Sequence, residues 1–422
     1  MNETLSSQDL ALNLARAARS AARAVATANT DQKNEALEAI AQRLEEARPL
    51  ILDANSKDLE AAHQSGLSAA MIDRLRLDDD RITSMISGVR SVIALPDPVG
   101  ERESMGPRPN GLEVARVRIP LGVICIIYES RPNVTVDAGV LCLKSGNAPI
   151  LKGGKEAFHS NGALVEAMRA GLQDAALPAD AIQAVATSDR EVIGELIRAD
   201  EYVDLVIPRG GEGLIRHITK NATVPVIQHY KGVCHVFVHE AADLAMAADI
   251  AFNAKVQRPG VCNAMETLLV DHRVAARFLP KILSRYQDAG VTIRADARAR
   301  SIWPGAHAAT EADWDEEYLA LTVAVRVVDG LDAALEHISD HGSGHTESIV
   351  TEDREISERF LREATASCVM HNASTRFNDG FELGLGAEIG ISTSRLHAFG
   401  PMGLEELTTR KFVVLGEGQI RS

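Results

Sequence analysis

The sequence predicts an α/β fold built on a doubly wound, mostly parallel sheet. Three observations predict it. Short, fully apolar runs recur from Gly122 onward, among them "GVICIIY", "APILK" and "VDLVIP". Stretches with apolar residues at helical spacing separate them, such as "AFHSNGALVEAMRAGLQDA" and "REVIGELIRA". A parallel strand buried on both faces reads as a continuous apolar run, whereas a half-wet strand alternates. Finally, 422 residues exceed one ordinary domain, and 45% hydrophobic content is enough for a sizeable core.

The first hundred residues read as helices, with "EALEAIAQRLEEARPLILDA" placing apolar residues at helical spacing. "ALPDPVGERESMGPRPNG" is dense in Pro and Gly and reads as a break. "LEVARVRIP" alternates like an exposed or edge strand. "GVICIIY" is a strand, and "VTVDAGVLCLKSGN" a helix that stops at Gly146-Asn147. Strand "APILK", helix "AFHSNGALVEAMRAGLQDA", strand "AIQAVAT", helix "REVIGELIRA", strand "VDLVIP" and helix "EGLIRHITKNA" follow, with "VPVIQ" and "CHVFV" as further strands. A second α/β pattern starts near Ala241. It runs from helix "AADLAMAADIAFNAKV" and strand "TLLV" through "LTVAVRVV", "LDAALEHIS", "ESIVT", "EISERFLREA" and "SCVM". The tail carries Gly-rich "GFELGLGAEIG" and a final strand, "TTRKFVVLG". Sheets of this kind bind ligands beyond the carboxyl ends of their strands.

Composition narrows the function classes. Acidic residues outnumber basic ones, 59 to 44, for a net charge of −15. That argues against nucleic acid or an anionic membrane as main partner, though a local basic pocket can still take an anionic substrate. The five cysteines, Cys125, Cys142, Cys234, Cys262 and Cys368, are scattered and odd in number, so neither a disulfide framework nor a cysteine zinc site is expected. No signal peptide and no apolar run of membrane-spanning length is read. A reducing cytoplasm is the expected compartment.

Several constellations could carry chemistry. "ILKGGKEA" (Lys152 to Lys155) and "VIPRGGEG" (Arg209 to Gly211) are strand-to-helix turns rich in Gly and cation. Glycines let the backbone approach a phosphate, and the following helix N-terminus favours an anion. Neither matches G-x-G-x-x-G or the P-loop, so an ordinary turn stands beside the cofactor reading. His337, His341 and His345 recur at four-residue spacing, but "HGSGH" would break a helix. The group His229, Cys234, His235 and His239 reads as packing or surface around a strand, so no metal site is expected. Cys262 differs from the other cysteines. It follows the breaker Pro259-Gly260 and precedes a buried strand, where open amides and nearby Arg258 could support a thiolate and an oxyanion. On local chemistry alone a buried apolar cysteine remains the competing reading. The other four lie in or beside apolar elements, where packing is expected.

"IPLGVICIIYESRPNVTVDAGVLCLKSGNAPILKGGKEA", "DLVIPRGG", "KVQRPGVCNAMETLLV", "HTESIVTED", "NASTRFNDG", "GLGAEIGIST" and "GPMGLEELTTRKFVV" together resemble the gamma-glutamyl phosphate reductase family, a branch of the aldehyde dehydrogenase superfamily. The resemblance runs nearly end to end in motif order. It implies an aldehyde-dehydrogenase-like fold with a Rossmann-type NADP-binding domain (1–107 and 121–238) and an α/β catalytic domain (239–375). A small β oligomerisation element would join 108–120 to 400–422, and 376–399 would return toward the cofactor domain. It implies Cys262 as nucleophile, Lys152 at the adenosine ribose, Gly210 and Gly211 at the cofactor turn, and Glu317 at the nicotinamide ribose. Lys155 stands where NAD-using members carry an acid, which favours NADP(H). Two departures stand out. The oxyanion donor falls in "ESRPN", where Ser130 or Asn133 could serve. The water-activating glutamate has no counterpart in "VIQHYKGVCHV", which fits a thioester meant for hydride or phosphate rather than water.

The expected reaction is NADPH-dependent reduction of L-glutamyl 5-phosphate to glutamate 5-semialdehyde and phosphate, in proline biosynthesis. Arg131, Arg209 and Arg258 are candidates for the substrate's anionic groups. A homo-oligomer is expected, and contact with the glutamate 5-kinase that makes this labile substrate is a further expectation without a sequence marker. The alternatives are a hydrolytic aldehyde dehydrogenase, a metal-dependent hydrolase using the histidines, and a non-catalytic nucleotide-binding module.

Overall fold

A computed structural model describes residues 6–187, 189–228 and 230–421, and the chain divides into two compact units. One comprises Met1–Gln228, Gly384–Gly390 and Met402–Ser422; the other comprises His229–Leu383 and Ile391–Pro401.

The first unit opens on helices α1 (Ser7–Thr27), α2 (Thr30–Glu46), α3 (Arg48–Gln64), α4 (Ala69–Leu75) and α5 (Asp79–Ala94). Local chemistry starts them: the Ser6 hydroxyl accepts the Asp9 N–H, and Asn29 with Gln32 forms a reciprocal capping box. Ala11, Ala15, Ala18 and Ala22 recur along one face of α1 and pack in one core with Val123, Cys125 and Ile150. Small side chains there let the helix lie close to the sheet. An antiparallel pair follows, β1 (Arg102–Pro107) and β2 (Glu113–Pro120). The sequence reads 102–107 as a break, whereas it is an edge strand. Its Pro and Gly are tolerated because the register slips between Ser104 and Pro107 and Gly106 takes φ +73°.

The parallel sheet comes from β3 (Val123–Tyr128), α6 (Pro132–Lys144), β4 (Ala148–Lys152), α7 (Phe158–Asp174), β5 (Gln183–Ala184), α8 (Arg190–Leu196), β6 (Leu205–Arg209) and α9 (Glu212–Asn221). Its strand order is β5-β4-β3-β6. Every residue of β3 and β4 is buried, which is why both read as unbroken apolar runs. "AIQAVAT" yields only two strand residues. "VPVIQ" yields a single bridge between Val206 and Val226, since Pro225 has no N–H for a ladder.

The second unit holds β7 (Cys234–Val238), α10 (Leu244–Val256), β8 (Met265–Asp271), α11 (His272–Asp288), β9 (Thr292–Ala295), α12 (Ala297–Ile302), β10 (His307–Ala308), α13 (Glu311–Trp314), β11 (Thr322–Val328), α14 (Gly330–His341), β12 (Thr346–Val350), α15 (Arg354–Glu363), β13 (Cys368–His371), and the short pair β14 (Ile391–Ser392) and β15 (Gly400–Pro401). Its main sheet has seven strands in the order β10-β9-β11-β8-β7-β12-β13. This corrects the expected boundary at 238. "CHVFV" is β7, paired with β8 and β12 in the middle of this sheet, and the unit begins at His229. The expected return over 376–399 is also shorter: only Gly384–Gly390 of it belongs to the first unit. The last strand, β16 (Thr408–Leu415), pairs antiparallel with β2 and completes a three-stranded sheet.

Candidate functional site

In the first unit the site follows from strand order. β4 and β6 flank β3 on opposite sides and both run parallel to it, so Tyr128, Lys152 and Arg209 end at one carboxyl edge. The chain moves outward through β4 and β5 and then crosses to β6, which puts the topological switch beside β3, where such sheets open a crevice. Three predicted stretches converge there: "ESRPN" after β3, "KGGK" after β4 and "RGG" after β6.

Lys152 is buried, donates from Nζ to the Gly153 carbonyl at 2.7 Å, and is shifted downward by desolvation. Lys155 is exposed at the start of a single 3₁₀ turn, Lys155–Ala157. A Cβ at Gly210 would stand 2.6 Å from Glu129 Oε2, so the Glu129 side chain packs against the bare glycine. The same Glu129 oxygen accepts the Gly211 N–H at 3.0 Å, at the N-cap of α9. An anion thus already rests on the amide that the sequence assigns to a cofactor.

Ser130 has φ +40°, a strained value for a non-glycine residue. Its N–H and Oγ both donate to Glu156 Oε1, at 2.6 and 2.5 Å. Asn133 is exposed and donates to Asp137 Oδ2 at 3.0 Å. Burial pushes Asp137 up to about 6, against the Asn133 bond and the Arg209 charge. Arg131 caps α6 and Arg209 ends β6, with its guanidinium beside Gly390.

In the second unit Cys262 lies half-buried on the turn between α10 and β8. Three features fix that turn. A Cβ on Gly232 would meet the Cys262 carbonyl oxygen at 2.1 Å, so the glycine backbone presses against the cysteine backbone. The buried Cys234 thiol donates to the same carbonyl at 3.2 Å. Asn263 donates to the Asn378 carbonyl at 2.9 Å, and its own oxygen accepts from Arg376 Nη1. Arg376 also reaches Gln257 Oε1 at 2.8 Å. Burial and the like charge of Arg258 lower the Arg376 pKa, while Asp379 and Cys262 act against them; a guanidinium stays charged all the same. Arg258 itself is exposed.

Glu317, half-buried, accepts the Gly232 N–H at 3.0 Å. Behind the turn Lys255 Nζ and Glu266 Oε2 meet at 2.5 Å with both side chains fully buried.

The structure therefore gathers Lys152, Lys155, Gly210, Gly211, Ser130, Arg131, Asn133 and Arg209 in one unit, and Cys262, Arg258 and Glu317 in the other. The His337 and His341 rings meet at 4.7 Å, tilted by 44°, on α14, which ends before Gly342; His345 lies beyond it. His235 pairs with Glu347 at 2.9 Å in the core, and His239 meets Thr351 Oγ1 at 3.0 Å. His229 lies outside the described residues. Among the described residues no group of three His, Cys, Asp or Glu is placed to hold a metal. Cys125, Cys142 and Cys234 are buried and Cys368 half-buried, as packing requires.

Sequence reasoning missed Gly232, Lys255, Glu266, Arg376, Glu129 and Glu156. Arg376 had a signal: it stands in "NASTRFNDG", a motif quoted for the resemblance without a role. No sequence pattern marks the carboxylate partners: Glu129 reaches an amide 82 positions away, Glu156 one 26 positions away, and Glu266 a lysine 11 positions away across the turn.

Residues 4–312 match the family model described as "Aldehyde dehydrogenase family", and the chain belongs to that family. Its near-full-length relatives place it in the gamma-glutamyl phosphate reductase branch. The gamma-glutamyl phosphate reductase of Moorella thermoacetica is 56% identical, covering 96% of this chain and 97% of that protein. That of Desulfatibacillum aliphaticivorans is 54% identical over 99% of this chain and all of its own. The crystal structure of gamma-glutamyl phosphate reductase from Thermotoga maritima superposes with a TM-score of 0.96 at 49% identity, covering 98% of this chain and 100% of that one. An acetylating aldehyde dehydrogenase from Geobacillus thermoglucosidasius shares the fold at 16% identity, with a TM-score of 0.70 over 99% and 98% of the two chains.

Proposed function

We propose that this chain reduces L-glutamyl 5-phosphate to glutamate 5-semialdehyde and inorganic phosphate with NADPH, in proline biosynthesis. The observation that carries the reading is Cys262, half-buried on a turn clamped from three sides, with Arg376 bonded to the next residue, Asn263, and Arg258 on the same turn, in a chain of this branch. A rigid, partly exposed thiol beside cations is the setting of a nucleophilic cysteine.

Cys262 Sγ attacks the acyl carbon, the bond to the phosphate oxygen breaks, and phosphate leaves with that electron pair. Arg258 and Arg376 supply positive charge near the departing phosphate. The thioester that remains on Cys262 accepts hydride at its carbonyl carbon, and the resulting thiohemiacetal collapses to aldehyde and free thiolate. We assign the oxyanion to the Cys262 amide; Ser130 and Asn133, the side-chain donors the resemblance offers, are engaged with carboxylates within the first unit, Glu156 and Asp137.

The family implies a nicotinamide cofactor, and the first-unit residues fit one. Gly210 and Gly211 lead into the N-terminus of a ten-residue helix, with open space where a Cβ on Gly211 would stand and no side-chain cap on the helix. A carboxylate, Glu129, rests on the Gly211 amide where a cofactor phosphate would otherwise bind. Lys152 and Glu317 would hold the two riboses. Exposed Lys155 favours a 2′-phosphate over a bare ribose, hence NADP(H). When bound, this group supplies the hydride. We assign assembly into a homo-oligomer to the three-stranded sheet.

The test is phosphate-dependent NADP⁺ reduction with glutamate 5-semialdehyde. Wild type should show it, and Cys262→Ala should lose it. Turnover without phosphate would favour the hydrolytic alternative, and full activity in Cys262→Ala would end the thioester mechanism.

A further inference from the structure

The Cys262 turn and the Glu317 loop come from distant parts of the chain, yet one buried ion pair touches both. Lys255 lies in the last turn of α10 and Glu266 is the second residue of β8, so the two residues bracket the turn that carries Cys262. Their contact, 2.5 Å between Nζ and Oε2, ties the two ends of that turn together. The other Glu266 oxygen accepts the Leu319 N–H at 3.3 Å. Leu319 has φ +50°, a conformation that a branched side chain adopts only when its surroundings impose it. Two residues earlier, Glu317 accepts the Gly232 N–H, and Gly232 presses back on the Cys262 carbonyl. The path closes on itself: Cys262 turn, Lys255–Glu266, Leu319, Glu317, Gly232, Cys262.

We propose that Lys255 and Glu266 are positioning residues: their buried pair holds the nucleophile turn and the Glu317 loop in fixed register. This rests on the reading of Cys262 as nucleophile and Glu317 as a cofactor ligand.

The energetics favour a positional role over a stabilising one. Both side chains are fully buried, and burial opposes both charged forms; it drives Lys255 down and Glu266 up to about 8, while their mutual attraction works against it. A buried pair of this kind adds little net stability over an apolar pair of equal volume. What an apolar pair cannot reproduce is the acceptor for Leu319. Sequence alone could not show this, because Glu266 sits inside the apolar run "METLLVD" and the Leu319 N–H is a backbone group.

The test replaces both charges at once, as Lys255→Met with Glu266→Met. Removing both avoids an unpaired buried charge, so the variant should melt near wild type. We expect kcat to fall by about a hundredfold, as for a reacting group displaced by about an ångström. NADPH binding should weaken by about tenfold, and the rate of Cys262 alkylation by iodoacetamide should change by a similar factor. The last two readouts need no turnover, so they remain informative if Cys262→Ala overturns the mechanism itself. A stable double variant within about threefold of wild type on all three would overturn the proposal. If the double variant does not fold, Glu266→Gln decides on the same readouts. It keeps the side chain's shape but leaves one acceptor oxygen where Glu266 has two, so either the Lys255 or the Leu319 link is lost, and wild-type values in the folded variant would equally overturn the clamp.

Discussion

Asp137 shows how a single environment sets a measurable property. It stands one helical turn after Asn133 on α6, accepts that side chain's amide, and is raised to about 6 by burial. A carboxyl whose folded pKa lies above its unfolded value binds more protons in the native state between the two. Stability therefore falls as pH rises from about 4 to about 6 and stays reduced above that. Asp137→Asn removes the penalty. The variant should match wild type below pH 4 and be more stable at pH 7 by about 1–2 kcal/mol, less than the full linkage because the residue is partly solvated. Urea melts at pH 4 and pH 7 check this, and a pH-independent difference would refute it. The place of Cys262 on a turn before a buried strand was legible at this scale, because a breaker pair and an apolar run bracket it in sequence. The residues that fix its turn were not. Gly232 matters through a backbone approach, and Arg376 through an amide 113 positions away.

At the scale of elements, periodicity located the buried strands and misjudged the edges. β3, β4 and β8 announce themselves because both faces are buried. β1 did not, since an exposed edge strand carries no apolar signal and tolerates Pro and Gly. β7 was recognised as a strand but placed in the wrong sheet; a fully apolar run reports burial and is silent on its neighbours. Arg118 illustrates what holds an edge element. From β2 it donates to Glu101 at 3.0 Å, to Glu405 at 2.9 Å and to Thr408 Oγ1 at 3.0 Å, tying the start of β16 to the β1–β2 hairpin. Its guanidinium is nearly buried while both carboxylates are exposed. Arg118→Met keeps the apolar stem and loses the bonds. We expect a cost of about 1–3 kcal/mol and faster amide exchange confined to residues 405–415. Exchange unchanged in that stretch would show that the β2–β16 ladder suffices alone.

At the scale of the whole molecule, the three-stranded sheet is poorly covered within one chain. β16 is an edge strand, and after Thr408 its residues are exposed or only partly buried on both faces. Phe412, Val414 and Leu415 keep 61, 52 and 49% of their surface exposed, more than a monomer normally leaves on one strand. Two of the cations beside them are engaged within the sheet: Arg410 bonds Glu103 at 3.2 Å, and the Arg116 guanidinium lies over the Phe412 ring, 5.5 Å from its centroid. Phe412 and Val414 share one face with their cross-strand partners Arg116 and Val114. That leaves an apolar strip and, among the described residues, an unpaired backbone edge, which a second copy of the chain can cover with its own strip and edge. A carboxylate placed in the strip would be desolvated on assembly, at a cost no neighbour offsets. Val414→Asp should therefore lower the mass seen in sedimentation velocity toward the single chain, and Thr409→Asp, at the strand's margin, should do so less. Because Val414 lies far along the chain from every catalytic candidate, the melting curve separates the cases. A dissociated variant that still melts cooperatively places the interface on this sheet, whereas an unchanged mass removes it from the sheet.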